Sequence, residues 1–315
     1  EGGGAGFTLV NPLSWDRSDT QYLEAPGYAQ GMASQRVDRL YGGEALAVAP
    51  VIPAMGAALV ELTDTPCDAP SPFAYDRRRL TTPYAEIIFD EAGSMASFID
   101  RANGRQLVRE APLNRFYMGE DVPALWDCWD INADTLDMLV PQERLLERQV
   151  VSDGPLQLRI RSHYAIGPRS ELWQDMVFHA QSPRIDFETR VDWQDKHHLL
   201  KVGFDLDILA DRIRNEVQFG HLERPTTRND SREQAMFEVC NHKWSDLSEN
   251  RYGAALANDC KYGISVQGGT MALTLAKGGT RPDERGDVGT YTFRYAIQPH
   301  AEGFSAKVPR RGMRF

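Results

Sequence analysis

The chain has 315 residues, of which 42% are hydrophobic and 25% are charged, as is typical of a soluble globular protein with a large core. Its formal net charge of -10 argues against binding to nucleic acid or to anionic membrane surfaces, because both need a basic protein face. No apolar run approaches the ~20 residues that a membrane-spanning helix needs.

The N-terminal part of the chain predicts a small β domain. Residues 1–6 are rich in glycine and are predicted to be a linker rather than a signal peptide. Short strands are predicted at Phe7–Asn11, Ala45–Val48 and Ala57–Leu62. We therefore expect a small β-sandwich domain at residues 7–75, ending where several prolines would interrupt strand pairing.

The middle and end of the chain predict long antiparallel strands. Residues 185–193 and 200–208 alternate strictly between apolar and other side chains, which is typical of half-buried strands. A hairpin is predicted over residues 86–100, with its turn at Gly93, and further strands are expected within residues 263–297. Because helical signal is sparse, the predicted fold class is all-β, dominated by a large antiparallel sandwich.

These patterns divide the chain after the small domain into two parts. The large sandwich is predicted to occupy residues 80–302. The remaining residues, 303–315, are predicted to form a basic C-terminal tail that is exposed to solvent. No internal repeat is evident.

The sequence lacks several familiar catalytic sets. It contains no H-E-x-x-H motif and no G-x-S-x-G nucleophile elbow. His197 and His198 are adjacent, so on a strand their rings would point to opposite faces, and a solvated pair is favoured over a shared metal site. We therefore expect no self-sufficient catalytic set and no metal site in this chain.

The four cysteines are too widely spaced for a C-x-x-C motif, which argues against a zinc ribbon or a thioredoxin-like site. Cys67, Cys128, Cys240 and Cys260 are interpreted as free thiols in a reducing, cytoplasmic environment. A disulfide in a secreted protein is the alternative.

The first cluster with chemical potential is a tryptophan- and aspartate-rich segment at residues 119–130. Trp126 and Trp129 could stack on the apolar faces of sugar rings, while Asp127 and Asp130 accept hydrogen bonds from hydroxyl groups. The alternative is that both tryptophans are core aromatics of a loop.

The second cluster lies at residues 238–263 and includes His242, Lys243, Trp244 and Asp246. It combines donors, acceptors and aromatic faces, and the segment at residues 220–226 adds Glu223 and Arg224. The competing interpretation is that the aromatic residues pack in the interior while the polar ones lie on the surface.

Several segments, in order along the chain, carry a resemblance to a known family. They are residues 11–17, the W-D-C-W-D run at residues 126–130, residues 218–226, residues 238–263 and residues 295–300. Together the chain resembles the C-terminal, non-barrel half of a glycoside hydrolase family 38 α-mannosidase. It is most similar to the branch that includes bacterial and cytosolic enzymes, with Cys128 in place of the usual alanine of W-D-A-W-D.

The resemblance implies a fold and an activity. The fold would be a galactose mutarotase-like β supersandwich preceded by a small Ig-like β domain. The family hydrolyses α-mannosides with retention and uses zinc, whose ligands begin with an H-x-D motif in an N-terminal catalytic half. Because that half is missing from this sequence, the resemblance implies zinc in the parent enzyme, none in this fragment, and an inactive fragment.

The resemblance also implies which residues face the substrate and which partners the chain has. The candidates for a substrate pocket or domain interface are Trp126, Asp127, Asp130, Glu223, Arg224, His242, Lys243 and Asp246. The implied partners are an α-mannoside or oligosaccharide substrate and the N-terminal catalytic domain, and the family allows association into a homo-oligomer. No residue of this fragment is expected to act as a catalyst.

Two other functions are compatible with the residues. A sandwich of this kind could be a carbohydrate-binding or scaffold module. It could also be a sugar epimerase of mutarotase type, in which a histidine and a carboxylate act as acid and base. His163, His179 and His242 are the histidines considered for that role, but no spacing singles one out.

Overall fold

The computed structural model describes residues 6–305 and 307–312. The predicted linker lies outside the described residues except for Gly6, which begins the first strand. The N-terminal part forms two three-stranded sheets, β1-β6-β3 and β2-β5-β4. Their strands are β1 (Gly6–Asn11), β2 (Gln21–Leu23), β3 (Tyr28–Ala29), β4 (Ser34–Arg39), β5 (Gly43–Val48) and β6 (Gly56–Thr63).

A five-stranded antiparallel sheet follows, in the order β11-β10-β9-β8-β7. Its strands are β7 (Ala74–Tyr75), β8 (Arg79–Thr81), β9 (Ala85–Phe89), β10 (Met95–Asp100) and β11 (Arg105–Gln106). The predicted hairpin between β9 and β10 is present, and Gly93 in its turn has a φ of 81°, a conformation that glycine adopts without strain.

Two large antiparallel sheets contain most of the remaining chain. A six-stranded sheet has the order β13-β12-β18-β25-β24-β21, and a nine-stranded sheet has the order β14-β15-β16-β17-β26-β23-β22-β19-β20. The strands are β12 (Arg115–Glu120), β13 (Val140–Gln142), β14 (Leu145–Asp153), β15 (Gln157–Ile166), β16 (Ser170–His179), β17 (Ser182–Trp193), β18 (His198–Asp205), β19 (Arg212–Val217), β20 (Gly220–Pro225), β21 (Val239–Cys240), β22 (Trp244–Ser248), β23 (Gly253–Asn258), β24 (Gly263–Gln267), β25 (Thr270–Lys277) and β26 (Gly289–His300).

Helices are short and few within the described residues. A 3₁₀ helix spans Ala133–Met138, and the two α-helices are α1 (Ser231–Ala235) and α2 (Lys307–Gly312). None of the described helices is long and apolar enough to cross a membrane. In the basic C-terminal segment, Val308 of α2 is buried in a cluster with Trp244 and Ala255. The domain boundaries at residues 75, 80 and 302 stay predictions.

The main core lies between the two large sheets. Phe187 on β17 packs against Phe204 on β18 with ring centroids 5.9 Å apart, and it stacks on Tyr295 of β26 at 4.9 Å. The apolar positions predicted for β17 and β18 are buried, including Val191 and Val202. The all-β sandwich is therefore confirmed, and its cause is the alternation of apolar side chains along these strands.

The outer face of the nine-stranded sheet differs from a solvated polar face. Glu188 on β17 is only 3% exposed and Arg159 on β15 is fully buried. The N-terminal sheet β2-β5-β4 covers this face, since Tyr22 of β2 accepts a hydrogen bond from Arg159 at 3.0 Å and Gln35 of β4 donates to the Gln157 carbonyl at 2.9 Å. The central strands are therefore buried on both sides, although the sequence pattern indicates only one apolar face.

Candidate functional site

The tryptophan loop, residues 121–132, connects β12 to the 3₁₀ helix and presents two indole rings to solvent. Trp126 is 51% exposed and Trp129 is 73% exposed. The rings stack with centroids 5.4 Å apart and an angle of 30° between their planes. These tryptophans are therefore not core residues, and their exposed faces resemble the aromatic platforms on which sugar rings can stack.

The backbone of the loop turns so that the rings point outwards. Trp126 has a φ of 55°, which is uncommon for a residue with a side chain. Its carbonyl accepts hydrogen bonds from the N–H groups of Trp129 at 2.8 Å and Asp130 at 3.2 Å. The resulting tight turn places residues 126 and 129 side by side, which explains why their rings stack.

Asp127 lies inside the loop rather than on its surface. Its carboxylate accepts hydrogen bonds from the backbone N–H groups of Thr280, at 2.9 Å, and Arg281, at 2.6 Å, and from the Thr280 hydroxyl at 3.0 Å. Burial alone would raise the pKa of the Asp127 carboxyl, but these hydrogen bonds outweigh it, so the pKa lies below its usual value. The Asp127 carboxylate thus anchors the tryptophan loop to residues 280–281.

Two further contacts anchor the tryptophan loop. Asp121 is 2% exposed and pairs with the Lys277 ammonium at the end of β25. Gly279 lies so close to the loop that a Cβ there would meet the Asp127 carbonyl oxygen at 2.9 Å, so a side chain would displace the loop. Asp121 is not among the predicted site residues, because Lys277 comes beside it only through the pairing of β12 with β18 and of β18 with β25.

The exposed rim of the loop carries a carboxylate and a histidine. Asp130 is exposed, and its Oδ1 accepts a hydrogen bond from the Ile131 N–H at 3.0 Å. The Nδ1 atom of His197 lies 3.4 Å from the Asp127 Oδ2 atom. Stacked indoles beside an exposed carboxylate are a combination that can hold the apolar face and the hydroxyl groups of a sugar together.

Asp246, in the second cluster, is fully buried. Its Oδ2 accepts a hydrogen bond from the His300 Nε2–H at 2.8 Å, and its Oδ1 accepts one from the Ser248 hydroxyl. The other ring nitrogen of His300 lies 2.7 Å from the Glu302 carbonyl oxygen. The Asp246 carboxylate is therefore bound within the sheet, and His300 is a partner that the sequence does not indicate.

We expect Asp246→Asn to lower the free energy of unfolding by about 1–3 kcal/mol, because it removes a charged acceptor from the buried His300. The measurement is equilibrium urea unfolding of the purified chain. Asp68→Asn is the matched control, since Asp68 is exposed and should change stability by less than about 0.5 kcal/mol. Equal stability of the Asp246 variant and the unmodified chain would show that this pair contributes nothing.

The other residues of the second cluster lie closer to the surface. The His242 ring stacks on Tyr262 with centroids 4.9 Å apart. Lys243 is exposed, and its backbone N–H donates to the Glu216 carboxylate at 2.6 Å. Trp244, by contrast, is 2% exposed and packs in the interior. Within this cluster the aromatic residues thus divide, with Trp244 inside and Tyr262 at the surface.

Glu223 and Arg224 lie on β20, the edge strand of the nine-stranded sheet. Glu223 pairs with Arg214 of β19 at 2.7 Å. Arg224 donates to the Asn215 side-chain oxygen at 2.9 Å, and burial lowers the pKa of its guanidinium. Both side chains therefore contact residues of the neighbouring strand β19 in the same hairpin.

The two clusters contact different parts of the structure. The tryptophan loop is anchored to residues 277–281, whereas His242 and Lys243 contact Glu216 and Asp246 contacts His300. The tryptophan loop, with two exposed indoles and an exposed carboxylate, is the better candidate for contact with a sugar. The roles of all eight predicted residues in a pocket or an interface stay predictions.

A zinc site does not fit the donor groups in the part of the chain that the structure describes. The described residues contain no group of three or more His, Cys, Asp or Glu side chains that could hold a metal ion. His197 approaches Asp127, but that carboxylate is already engaged by Thr280 and Arg281.

Comparisons with known proteins identify close relatives of this chain. Residues 80–285 match the family model "Glycosyl hydrolases family 38 C-terminal domain". Human alpha-mannosidase 2C1 is 33% identical over 311 residues, which cover 96% of this chain and 29% of that protein. Alpha-mannosidase G of Dictyostelium discoideum is 37% identical over 238 residues, which cover 73% of this chain and 22% of that protein.

A solved structure supports the fold. An alpha-mannosidase from Enterococcus faecalis V583 superposes with a TM-score of 0.73 at 15% identity, covering 94% of this chain and 43% of that one. The described chain thus corresponds to less than a third of the length of the human relative and to less than half of the bacterial structure.

Proposed function

The chain belongs to glycoside hydrolase family 38, and on that premise we propose that it is the C-terminal β part of a retaining, zinc-dependent α-mannosidase. In this role it supplies the scaffold and part of the sugar pocket, while the catalytic groups lie in another part of the protein. The observation that carries the proposal is the 33% identity to an α-mannosidase, which extends over 311 residues rather than over one motif.

The proposed division of labour is based on the groups that a retaining, zinc-dependent glycosidase needs. A retaining glycosidase needs a nucleophilic carboxylate and an acid–base carboxyl about 5–5.5 Å apart on either side of the scissile bond. Zinc can polarise and orient the substrate, but the described residues offer no set of ligands for it. We therefore assign the nucleophile and the metal to the N-terminal part of the parent protein, and we propose that this chain alone is inactive.

The tryptophan loop would complete the pocket from the C-terminal side. Trp126 and Trp129 would stack on the apolar face of a mannose unit, and Asp130 would accept hydrogen bonds from its hydroxyl groups. Asp127 and Asp121 would act as positioning residues, since they bind the loop to residues 277–281 without facing solvent. A pre-formed loop lowers the entropy that sugar binding would otherwise cost.

A reducing compartment such as the cytoplasm fits this proposal. Cys67, Cys128, Cys240 and Cys260 are all free thiols, and extracellular proteins more often pair theirs in disulfides.

The proposal predicts the substrate class of the longer polypeptide in which this chain follows its catalytic part. That polypeptide should hydrolyse 4-nitrophenyl α-mannoside with a kcat/KM at least about tenfold above that for the β-mannoside or the α-glucoside, because a site shaped for one anomer and one sugar leaves polar groups unpaired with the others. The measurement is initial rates on the three substrates at equal enzyme concentration. A preference for another glycoside would refute the assigned substrate, and binding of mannose without any hydrolysis would instead favour a carbohydrate-binding module.

A further inference from the structure

A polar cavity lies between the N-terminal sheets and the outer face of the nine-stranded sheet. Its volume is about 340 Å³, which is within the range of small-molecule sites. Arg17, Asp19 and Arg39 line it from the N-terminal side, and Arg184 and Glu188 line it from the side of β17. It therefore opens at the junction of the two parts of the chain, where a ligand would contact both.

Each carboxylate of the cavity wall already has an arginine partner. Asp19 pairs with Arg17 at 2.6 Å. Asp186 pairs with Arg184 at 2.8 Å. Glu188 receives two hydrogen bonds of 2.9 Å from Arg159, which lies beneath the cavity floor. The acidic groups are thus neutralised within the wall and leave little negative charge to repel an anion.

Arg39 differs from these arginines. Its guanidinium lies over the Tyr22 ring, with its Cζ atom 4.5 Å from the ring centroid. Its Nε atom is buried and has no hydrogen-bond partner among the described residues. The Arg39 guanidinium lines the cavity, and among the described residues it lacks the carboxylate partner that each of the other arginines has. An anionic acceptor inside the cavity would supply that partner. The planar guanidinium fork suits the two oxygens of a phosphate or carboxylate.

The surroundings of Arg39 favour an anion that also carries hydroxyl groups. Arg294 on the opposite wall adds a second guanidinium, which pairs with Asp259 at 3.4 Å. Thr20 and Gln21 add polar side chains to the wall. A neighbouring cavity of about 220 Å³ shares Asp19 and Arg184 with the first, so the accessible space is larger than a bare phosphate needs.

We propose that this cavity binds a small phosphorylated polyol, such as a hexose phosphate, with its phosphate group held by Arg39. The ligand would contact the N-terminal sheets through Arg39 and the nine-stranded sheet through β17 or β26. It would therefore stabilise the junction between them, because a ligand that binds only the folded state raises the free energy of unfolding. This binding needs no turnover and is independent of the proposed glycosidase activity.

The test is isothermal titration calorimetry of the chain at constant ionic strength with hexose 6-phosphate, inorganic phosphate and unmodified hexose. The chain should bind hexose 6-phosphate saturably, with a Kd at or below about 1 mM, and unmodified hexose at least about tenfold more weakly. Arg39→Ala should weaken phosphate-ester binding at least about tenfold, and Arg39→Lys should weaken it less, because it keeps the charge but loses the fork.

Arg36→Ala is the matched control, since Arg36 lies on the same strand and pairs with Glu44 outside the cavity. It should leave the affinity within about twofold. Inorganic phosphate that binds more weakly than the ester would support recognition of the polyol as well. The proposal is overturned if the unmodified chain shows no saturable binding of the ester, or if a folded Arg39→Ala variant binds it as tightly.

Discussion

Replacing Arg159 by alanine is expected to lower the free energy of unfolding of the chain by about 3–5 kcal/mol. The Arg159 side chain is fully buried and makes two hydrogen bonds of 2.9 Å to Glu188, one of 3.2 Å to Asp175 and one of 3.0 Å to the Tyr22 hydroxyl. Its removal leaves the Glu188 carboxylate in the interior without its main partner. Equilibrium unfolding in urea, followed by tryptophan fluorescence and circular dichroism, measures the change.

Two control variants distinguish the effect of losing this ion pair from the effect of replacing any arginine by alanine. Arg212 on β19 is exposed, so Arg212→Ala should change stability by less than about 0.5 kcal/mol. The double variant Arg159→Met with Glu188→Gln should recover part of the loss, because it removes both buried charges together. If Arg159→Ala is as stable as the unmodified chain, the buried ion pair of Arg159 and Glu188 does not stabilise the fold.

The second large effect concerns the tryptophan platform in the longer, catalytically competent polypeptide. Trp126→Ala and Trp129→Ala should each lower kcat/KM on a manno-oligosaccharide about tenfold, because each removes an indole face that would stack on a sugar ring. Stability should change little, since both side chains are largely exposed. Steady-state kinetics of each variant, beside its melting temperature, measures both quantities.

Phe219 provides the matched control for Trp126. It is a fully exposed aromatic residue with a φ of 65°, close to the 55° of Trp126, but it lies at the tip of the β19–β20 hairpin. Phe219→Ala should leave kcat/KM within about twofold. Unchanged kinetics in both tryptophan variants, with normal folding, would exclude the platform from the sugar pocket.

The fold could be predicted from the sequence where burial follows a simple period. Ile185, Phe187 and Val191 alternate with polar residues, and a strand is the only regular element that places them on one face. The hairpin at Gly93 could also be predicted from the sequence, because glycine tolerates the positive φ of its turn. The resemblance to the family is likewise visible in the sequence, because several of the family's motifs occur in the same order along the chain.

The burial of polar residues could not be predicted in the same way. Asp186 and Glu188 alternate with apolar neighbours as exposed residues would, yet both are buried beneath the sheet β2-β5-β4. That cover depends on contacts between residues far apart in sequence, such as Tyr22 and Arg159. The same pattern therefore fits a solvated face and a buried ion-pair layer equally well.

The candidate site could be predicted only in part from the sequence, because its contacts also join residues that are far apart along the chain. Asp246 and His300 are 54 positions apart and meet because β22, β23 and β26 are neighbours in the sheet. The W-D-C-W-D run indicates a special loop, but it does not reveal that Asp127 points inwards while Trp126 and Trp129 point outwards. That division depends on the hydrogen bonds from Thr280 and Arg281, which belong to a distant segment.

In the proposed function, this chain contributes a scaffold and one side of a sugar pocket but no catalytic groups. The most direct test of this proposal is the hydrolysis of 4-nitrophenyl α-mannoside by the purified 315-residue chain, with and without added zinc, beside the longer polypeptide that includes the catalytic part. We expect no turnover above the uncatalysed background for the chain alone and zinc-dependent turnover for the longer polypeptide. Turnover by the chain alone at a rate comparable to that of the longer polypeptide would contradict the proposal.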